Sequence, residues 1–342
     1  MGERIENEAE LEARLSAPTA EVCDLMGRLE GDLLLLGVGG KMGPTIAKMA
    51  KRAIVAAGVR KRVIGVSRFS SGGLQRELEA AGIETIAADL LADDALDSLP
   101  DAANVLYLVG MKFGTTGAEA MTWAMNALLP GLVARRYRGS RIVALSTGNV
   151  YPLTDVATGG PTEEHPVGPI GEYAQSCLGR ERVFQYGSEA YGTPVTLLRL
   201  NYAIEMRYGV LLDIARTVHA GRPVDLRMGY VNVIWQGDAA EVTLRAFDLC
   251  ASPPAILNLT GPETVSVRDV ANRFGALFGK PPIFDGTESE TALLSNASRC
   301  QALFGGPRVS LEQMIEWVAH WVAIGGRTLD KPTHFDQRDG KF

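Results

Sequence analysis

The chain has 342 residues, enough for one large core or two modest ones, with 46% hydrophobic and 22% charged residues. A net charge of −6 gives no electrostatic support for a nucleic-acid partner, and no apolar run reaches membrane-spanning length. Four scattered cysteines (Cys23, Cys177, Cys250, Cys300) form neither a zinc spacing nor a CxxC pair. They point to a reduced, cytoplasmic protein without a metal site.

Residues 1–30 read as a charged, amphipathic helical extension. Their start is not a signal peptide, and Glu6 stands where an N-myristoylation motif opening at Met1-Gly2 wants Ser or Thr. Short apolar runs then alternate with helical stretches: DLLLLGVG, KRVIGVSR, IETIAADL, NVLYLVGM, RIVALSTG and PVTLLRLN, with AILNLTG much later. Runs of this length without polar alternation suit strands buried on both faces. Helices are expected between them, over Met42–Ala57, Ala118–Tyr137 and Tyr173–Tyr191. The fold class that follows is α/β, a doubly wound parallel Rossmann sheet with a smaller C-terminal substrate domain. The expected boundaries are 31–204 with 228–258 for the dinucleotide-binding domain and 205–227 with 259–324 for the substrate domain. A polar tail, 325–342, carrying Pro332, reads as a surface arm.

The segment GVGGKMG follows the first strand and opens a helix. Gly37, Gly40 and Gly43 match a GxxGxxG spacing, with Gly39 as a further small residue; Lys41 and Met42 complete the loop. Such a loop turns tightly, lets the backbone approach a pyrophosphate and presents helix N–H groups to the anion. The cofactor expected is NAD or NADP. The second strand ends in Ser67-Arg68, with no acid for a ribose 2′-hydroxyl, which favours NADP; as an alternative, Arg68 is a solvated turn residue. Asp89, followed by Leu90, either approaches the adenine or caps a helix.

These ordered features, with VGMKFG after strand four, STGNVY after strand five and the Tyr-led helix EYAQSCLGRE, resemble the extended short-chain dehydrogenase/reductases, the NAD-dependent epimerase/dehydratase group. The resemblance runs from about Gly31 to Val322. It implies that Val109, Gly110 and Lys112 line the cofactor, because VGMKFG is similar to the GLKAVG segment of UDP-galactose epimerases. Asn126 matches an asparagine of the following helix. It implies that Thr147, with Ser146 as a possible substitute, holds the substrate oxygen and that Tyr173 moves a proton while hydride is transferred. It further implies a carbohydrate-like substrate and a homodimer built on the helices at 118–137 and 173–191. Taken singly, Thr147 and Tyr173 also read as a strand-end hydroxyl and a helix-start aromatic.

The family motif is Tyr-x-x-x-Lys, and here Cys177 occupies the place of the lysine. An ordinary tyrosine titrates near 10, and bringing it to about 7 needs roughly 4 kcal/mol of preferential phenolate stabilisation that a thiol does not supply. Three readings stay open: Tyr173 acts as a neutral acid, Lys112 or Arg180 substitutes, or hydride chemistry is lost. Thr147-Gly148-Asn149 lacks the two carboxyls of the family's dehydratases, which disfavours elimination. The expected function is an NAD(P)-dependent oxidoreductase or epimerase acting on a hydroxyl or keto group of a sugar or sugar derivative. The alternative is a catalytically silent nucleotide-binding protein of the same fold. Arg222 and Arg227 are candidates for a substrate's diphosphate.

Overall fold

The structure, a computed structural model, describes residues 4–70, 72–112, 114–331 and 333–341. Met1, Gly2 and Pro332, and Phe113 of the VGMKFG segment, fall outside the described residues.

All seven apolar runs form strands of one parallel sheet: β1 (Leu33–Leu36), β2 (Val63–Ser67), β3 (Glu84–Ala87), β4 (Asn104–Tyr107), β5 (Arg141–Thr147), β6 (Val195–Leu200) and β7 (Ala255–Leu259). Their order across the sheet is 3-2-1-4-5-6-7. The sequence turns back at β1, whose Leu36 pairs with Val66 on one side and Tyr107 on the other. Such a switch point opens a crevice at the carboxyl ends of the strands. Alternation within the leucine run sends Leu33 and Leu35 into one core layer and Leu34 and Leu36 into the opposite one.

Two short helices, α1 (Glu8–Leu15) and α2 (Ala20–Arg28), precede β1. Their N-termini are capped by Asn7 and Thr19, which accept from the Glu10 and Val22 N–H groups. They are more than a charged lead-in. Leu11 and Leu15 enter the core of the C-terminal lobe, while Val22, Leu25 and Met26 enter the sheet's core. The extension therefore bridges the two hydrophobic clusters.

Helices α3 (Gly43–Ala56) and α4 (Leu74–Ala80) link the first three strands. Between β4 and β5 the chain forms α5 (Glu119–Trp123), a π-helical turn at Ala124–Leu128 and α6 (Leu129–Arg136). The long helix α7 (Gly171–Tyr191) follows β5 and ends at Gly192 in the left-handed region. The C-terminal lobe is built from α8 (Val210–His219), α10 (Val267–Phe278) and α12 (Leu311–Ala323), with α9 (Gln236–Arg245) returning to the sheet and α11 (Ser298–Phe304) beside β7.

Helix α7 is held by charge as well as by packing. Glu181 and Arg199 are fully enclosed, with their carboxylate and guanidinium 2.7 Å apart and side-chain exposures of 0% and 3%. Glu181 also accepts from Ser146 Oγ at 2.6 Å, and Arg199 donates to Tyr151, whose hydroxyl donates to Asn258. This chain of contacts joins α7 to β5, β6 and β7. Removing one partner leaves a buried, uncompensated charge, so Glu181→Ala should cost about 3–5 kcal/mol in urea denaturation. The paired change Glu181→Met with Arg199→Met should recover most of it. A loss below about 1 kcal/mol for the single variant would contradict this role.

Candidate active site

The glycine loop joins β1 to α3 at the switch point. Gly37 has φ +90°, and a Cβ there would sit 2.9 Å from the Val109 backbone nitrogen. A Cβ on Gly43 would lie 2.2 Å from the Val38 carbonyl oxygen, so only glycine lets α3 start this close to the strand. Gly40 is different: the one atom a Cβ would approach is the Gly37 carbonyl oxygen, at 3.3 Å. Its bare face is room for a ligand rather than for the protein. The Ser67 hydroxyl lies against Gly39, and Arg68 is exposed beyond it. Asp89 accepts from the Leu91 N–H in a local turn, with no helix after it to cap, and Leu90 is buried. The cradle has room for a dinucleotide pyrophosphate at the start of α3, with Ser67 beside the loop at Gly39.

A cavity of about 160 Å³ continues from the loop, lined by Lys41, Met42, Lys112, Thr147, Tyr173, Asn201, Tyr202, Tyr208 and Thr333. Thr147 and Tyr173 meet in it: their side chains are hydrogen-bonded, and Tyr173 is also bonded to Cys177. Thr147 Oγ1 accepts from the Asn149 backbone N–H at 3.2 Å and from Asn149 Nδ2 at 2.9 Å. Ser146 also lines the cavity, but its hydroxyl is committed to Glu181, and it is Thr147 that bonds to Tyr173. Burial, then the neighbouring thiol, lifts the Tyr173 phenol well above its ordinary range, and Arg180 and Thr147 draw only part of that back. Cys177 is enclosed and its thiol is raised by burial, as expected of a filler rather than a nucleophile.

Two lysines reach the same cavity. Lys41 donates to the Ala203 carbonyl at 2.8 Å, with its ammonium 3.5 Å from the centre of the Tyr208 ring. Burial, with Lys112 nearby, brings it down to about 7 against the pull of Glu205. Lys112 donates to the Thr333 carbonyl at 3.4 Å, and burial brings it down to about 8. Asn126 is fully buried in the π-helical turn. Its oxygen accepts from the Met111 N–H and from Arg180, and its nitrogen donates to the Met111 carbonyl and to Ser176. It reaches the cleft only through the Val109–Lys112 segment that it holds in place; Val109 is buried and Gly110 covers Arg180.

Several lining residues were not singled out from sequence. Asn201, 2% exposed at the carboxyl end of β6, has an amide nitrogen without a hydrogen-bond partner. Its place at a strand end is the signal that could have marked it. Tyr202 holds a left-handed backbone, φ +43°. The tail does not behave as a surface arm: Thr333 is 1% exposed and bonds through its N–H and hydroxyl to Asp213 of α8. That contact stands between the cleft and a cavity of about 480 Å³ lined by Arg207, Arg216, Arg222 and Asp225. Arg227 instead pairs with Asp225 on the surface.

A family model described as the NAD dependent epimerase/dehydratase family matches residues 33–227. The chain belongs to that family. No curated protein matches the sequence. Among solved structures, a UDP-glucuronic acid 4-epimerase of Bacillus cereus, a mutant in complex with a fluorinated UDP-glucuronic acid and NAD, superposes with a TM-score of 0.72 at 16% identity. It covers 85% of this chain and 99% of its own. The UDP-glucose 4-epimerase of Thermotoga maritima with UDP-glucose gives 0.69 at 16% identity, covering 85% and 98%. That of Thermus thermophilus with NAD gives 0.68 at 19%, covering 84% and 98%. At such identities the likeness speaks for the fold. Among the described residues no helix is long and apolar enough to cross a membrane, and no His, Cys, Asp and Glu group is placed to hold a metal ion.

Gly40→Val should abolish dinucleotide binding in calorimetry and leave the thermal midpoint nearly unchanged, since the added side chain meets little protein. Unaltered affinity for both NAD and NADP would remove the loop from the binding site.

Proposed function

We propose that this family member is an NAD(P)-dependent oxidoreductase or epimerase that works on a hydroxyl or keto group of a sugar derivative carrying a negative charge. The observation that carries this reading is the meeting of Thr147 and Tyr173 in the cavity that the glycine loop and two lysines also line. Bound at the loop, the nicotinamide would accept or deliver hydride. The N–H groups opening α3 would bind its pyrophosphate, and Arg68 beside Ser67 supports a preference for NADP.

Thr147 would orient the reacting oxygen and Tyr173 would exchange its proton. With its phenol pushed upward, Tyr173 is suited to act as a neutral acid, so carbonyl reduction is the better-supported direction. Lys41, Lys112 and the unpaired Asn201 amide nitrogen make the cleft rich in donors, which favours a carboxylate or phosphate oxygen over a neutral hydroxyl. Arg222, in the larger cavity, is placed for a more distant phosphate.

Turnover of UDP-glucuronic acid and UDP-glucose with each cofactor is the test. The acidic sugar should be preferred, and Tyr173→Phe should lower its turnover about 10²–10⁴-fold. The lysines carry charge below their lowered values and lose it as pH rises through 7 and 8, so KM for the acidic sugar should climb across that window. Lys41→Met should raise KM and flatten the climb. Full activity in Tyr173→Phe would move the proton role elsewhere. Cofactor binding without turnover of any sugar would favour the silent binder that Cys177 invites.

The quaternary proposal is a homodimer. Met121, Trp123, Leu128 and Leu132, with Tyr186 and Tyr191 of α7, are each at least 40% exposed. They lie on the helix pair α5–α6 and α7, a face suited to an isologous four-helix contact. Sedimentation equilibrium at micromolar concentration should show a dimer, and Leu128→Glu with Tyr186→Glu a monomer. A monomeric native protein would refute it.

A further inference from the structure

Resting on that proposed acid–base role, we infer that Arg180 is the cation of the catalytic helix, displaced one turn from the motif position and acting on Tyr173 from behind Cys177. Tyr173, Cys177 and Arg180 stand at positions i, i+4 and i+7 of α7 and so share one stripe of the helix. The charge that Tyr-x-x-x-Lys would place at 177 is present at 180.

The surroundings of Arg180 are unusual for a structural arginine. The residue is 5% exposed. Nη1 donates to the Leu145 carbonyl at 2.7 Å and Nη2 to Asn126 Oδ1 at 2.8 Å, and the guanidinium lies 5.6 Å from the Tyr107 ring centre. Its Nε is buried without a hydrogen-bond partner. Among the described residues it forms no salt bridge, and the adjacent Glu181 carboxylate is taken by Arg199 and Ser146. A buried guanidinium whose hydrogen-bond acceptors are both neutral, with the nearby Glu181 carboxylate already committed elsewhere, is costly. Such a charge is useful where a negative charge develops nearby during the reaction.

Three neutral groups near it can become anionic, the Cys177 thiol and the Tyr107 and Tyr173 phenols, and of these Tyr173 lines the cleft. In reduction, with a reduced nicotinamide bound to supply hydride to the carbonyl carbon, Tyr173 would give its proton to the carbonyl oxygen and be left as phenolate. In oxidation the phenolate would take the alcohol proton, the hydride passing to the oxidised nicotinamide. Arg180 favours the phenolate in both directions and touches neither substrate nor cofactor, which makes it a positioning residue.

The other ionisable groups facing this cavity are Lys41 from the glycine loop, Lys112 after β4, and Tyr202 and Tyr208 after β6. The lysines lose their charge well below the pH at which so raised a phenol would ionise, whereas a guanidinium stays charged throughout.

The test reads Tyr173 directly and does not require turnover. Position 173 is replaced by a fluorinated tyrosine, whose phenol ionises at lower pH, and its absorbance is titrated in the full-length protein with NAD present. Arg180→Met and Arg180→Gln, the second retaining donors for Leu145 and Asn126, should each raise the apparent pKa by about one unit or more. Arg180→Lys should keep most of the native value. Adding Cys177→Lys to Arg180→Gln should bring the value back down by restoring the motif cation. In tyrosine-bearing protein, the same changes should move the pH profile of sugar oxidation in parallel, with NAD affinity altered by less than about threefold. A folded Arg180→Gln variant whose titration is shifted by less than about 0.3 unit would overturn the inference. If the native protein turns over no sugar yet the titration shifts, the functional reading fails and the electrostatic one stands. If sugars are turned over and nothing shifts, only the role of Arg180 falls.

Discussion

The buried pair of Glu181 and Arg199 is the constraint on which the site depends. It pins α7 to the carboxyl halves of β5 and β6, two strands whose own pairing runs from Ile142–Val195 to Thr147–Leu200. With α7 fixed there, Tyr173 falls beside Thr147, Cys177 next to Tyr173, and Arg180 against Leu145 of β5 and the Tyr107 ring at the end of β4. Ser146 and Thr147, adjacent on one strand, point to opposite faces. The Ser146 hydroxyl completes the buried network, while the Thr147 hydroxyl meets Tyr173 in the cleft. The same pair explains how the Arg180 guanidinium can sit one residue from a carboxylate without a salt bridge to it: Glu181 is already committed.

A second layer of organisation comes from the chain ends. Glu12 of α1 pairs with Lys48 of α3 and with Arg207, and Arg207 pairs with Glu205 at the rim of the cleft. Glu205 in turn supports the charge of Lys41. Helix α1 thus connects α3, which opens at the glycine loop, to the segment that carries Tyr202 and Tyr208. At the other end, the tail crosses the cleft at Thr333, and Arg338 fastens it to Thr291 and the Arg227 carbonyl. The cavity above Tyr173 is therefore shaped by three widely separated parts of the sequence.

That separation marks what could be read in advance. Most strands of the main sheet were legible because they are short, largely apolar runs buried on both faces; β3, at the sheet's edge, departs from this, with Glu84 and Ala87 exposed. The glycine loop was legible because its spacing reflects close backbone contacts local to one strand–helix junction. The positions of Thr147 and Tyr173 followed from the resemblance to the family's ordered motifs, Thr147 by counting back from Val150-Tyr151. The commitment of Ser146 to Glu181, the enclosure of Asn126 and the approach of Lys112 to Thr333 were not legible. Each depends on a partner 35, 54 or 221 residues away. The tail looked like a surface arm because its composition is polar, yet Thr333 and Phe335 are buried by contacts that no local pattern encodes.

The central claim is geometric: this cleft brings a nicotinamide and Tyr173 to bear on one carbon–oxygen bond. A crystal structure of the protein with NAD and UDP-glucuronic acid tests it most directly. The account predicts the pyrophosphate over Gly40, the sugar hydroxyl within hydrogen-bond reach of Tyr173 and Thr147, and its carbon about 3–3.5 Å from the nicotinamide carbon that accepts hydride. A dinucleotide bound with its nicotinamide outside the cavity, or a sugar bound away from Tyr173, would contradict it.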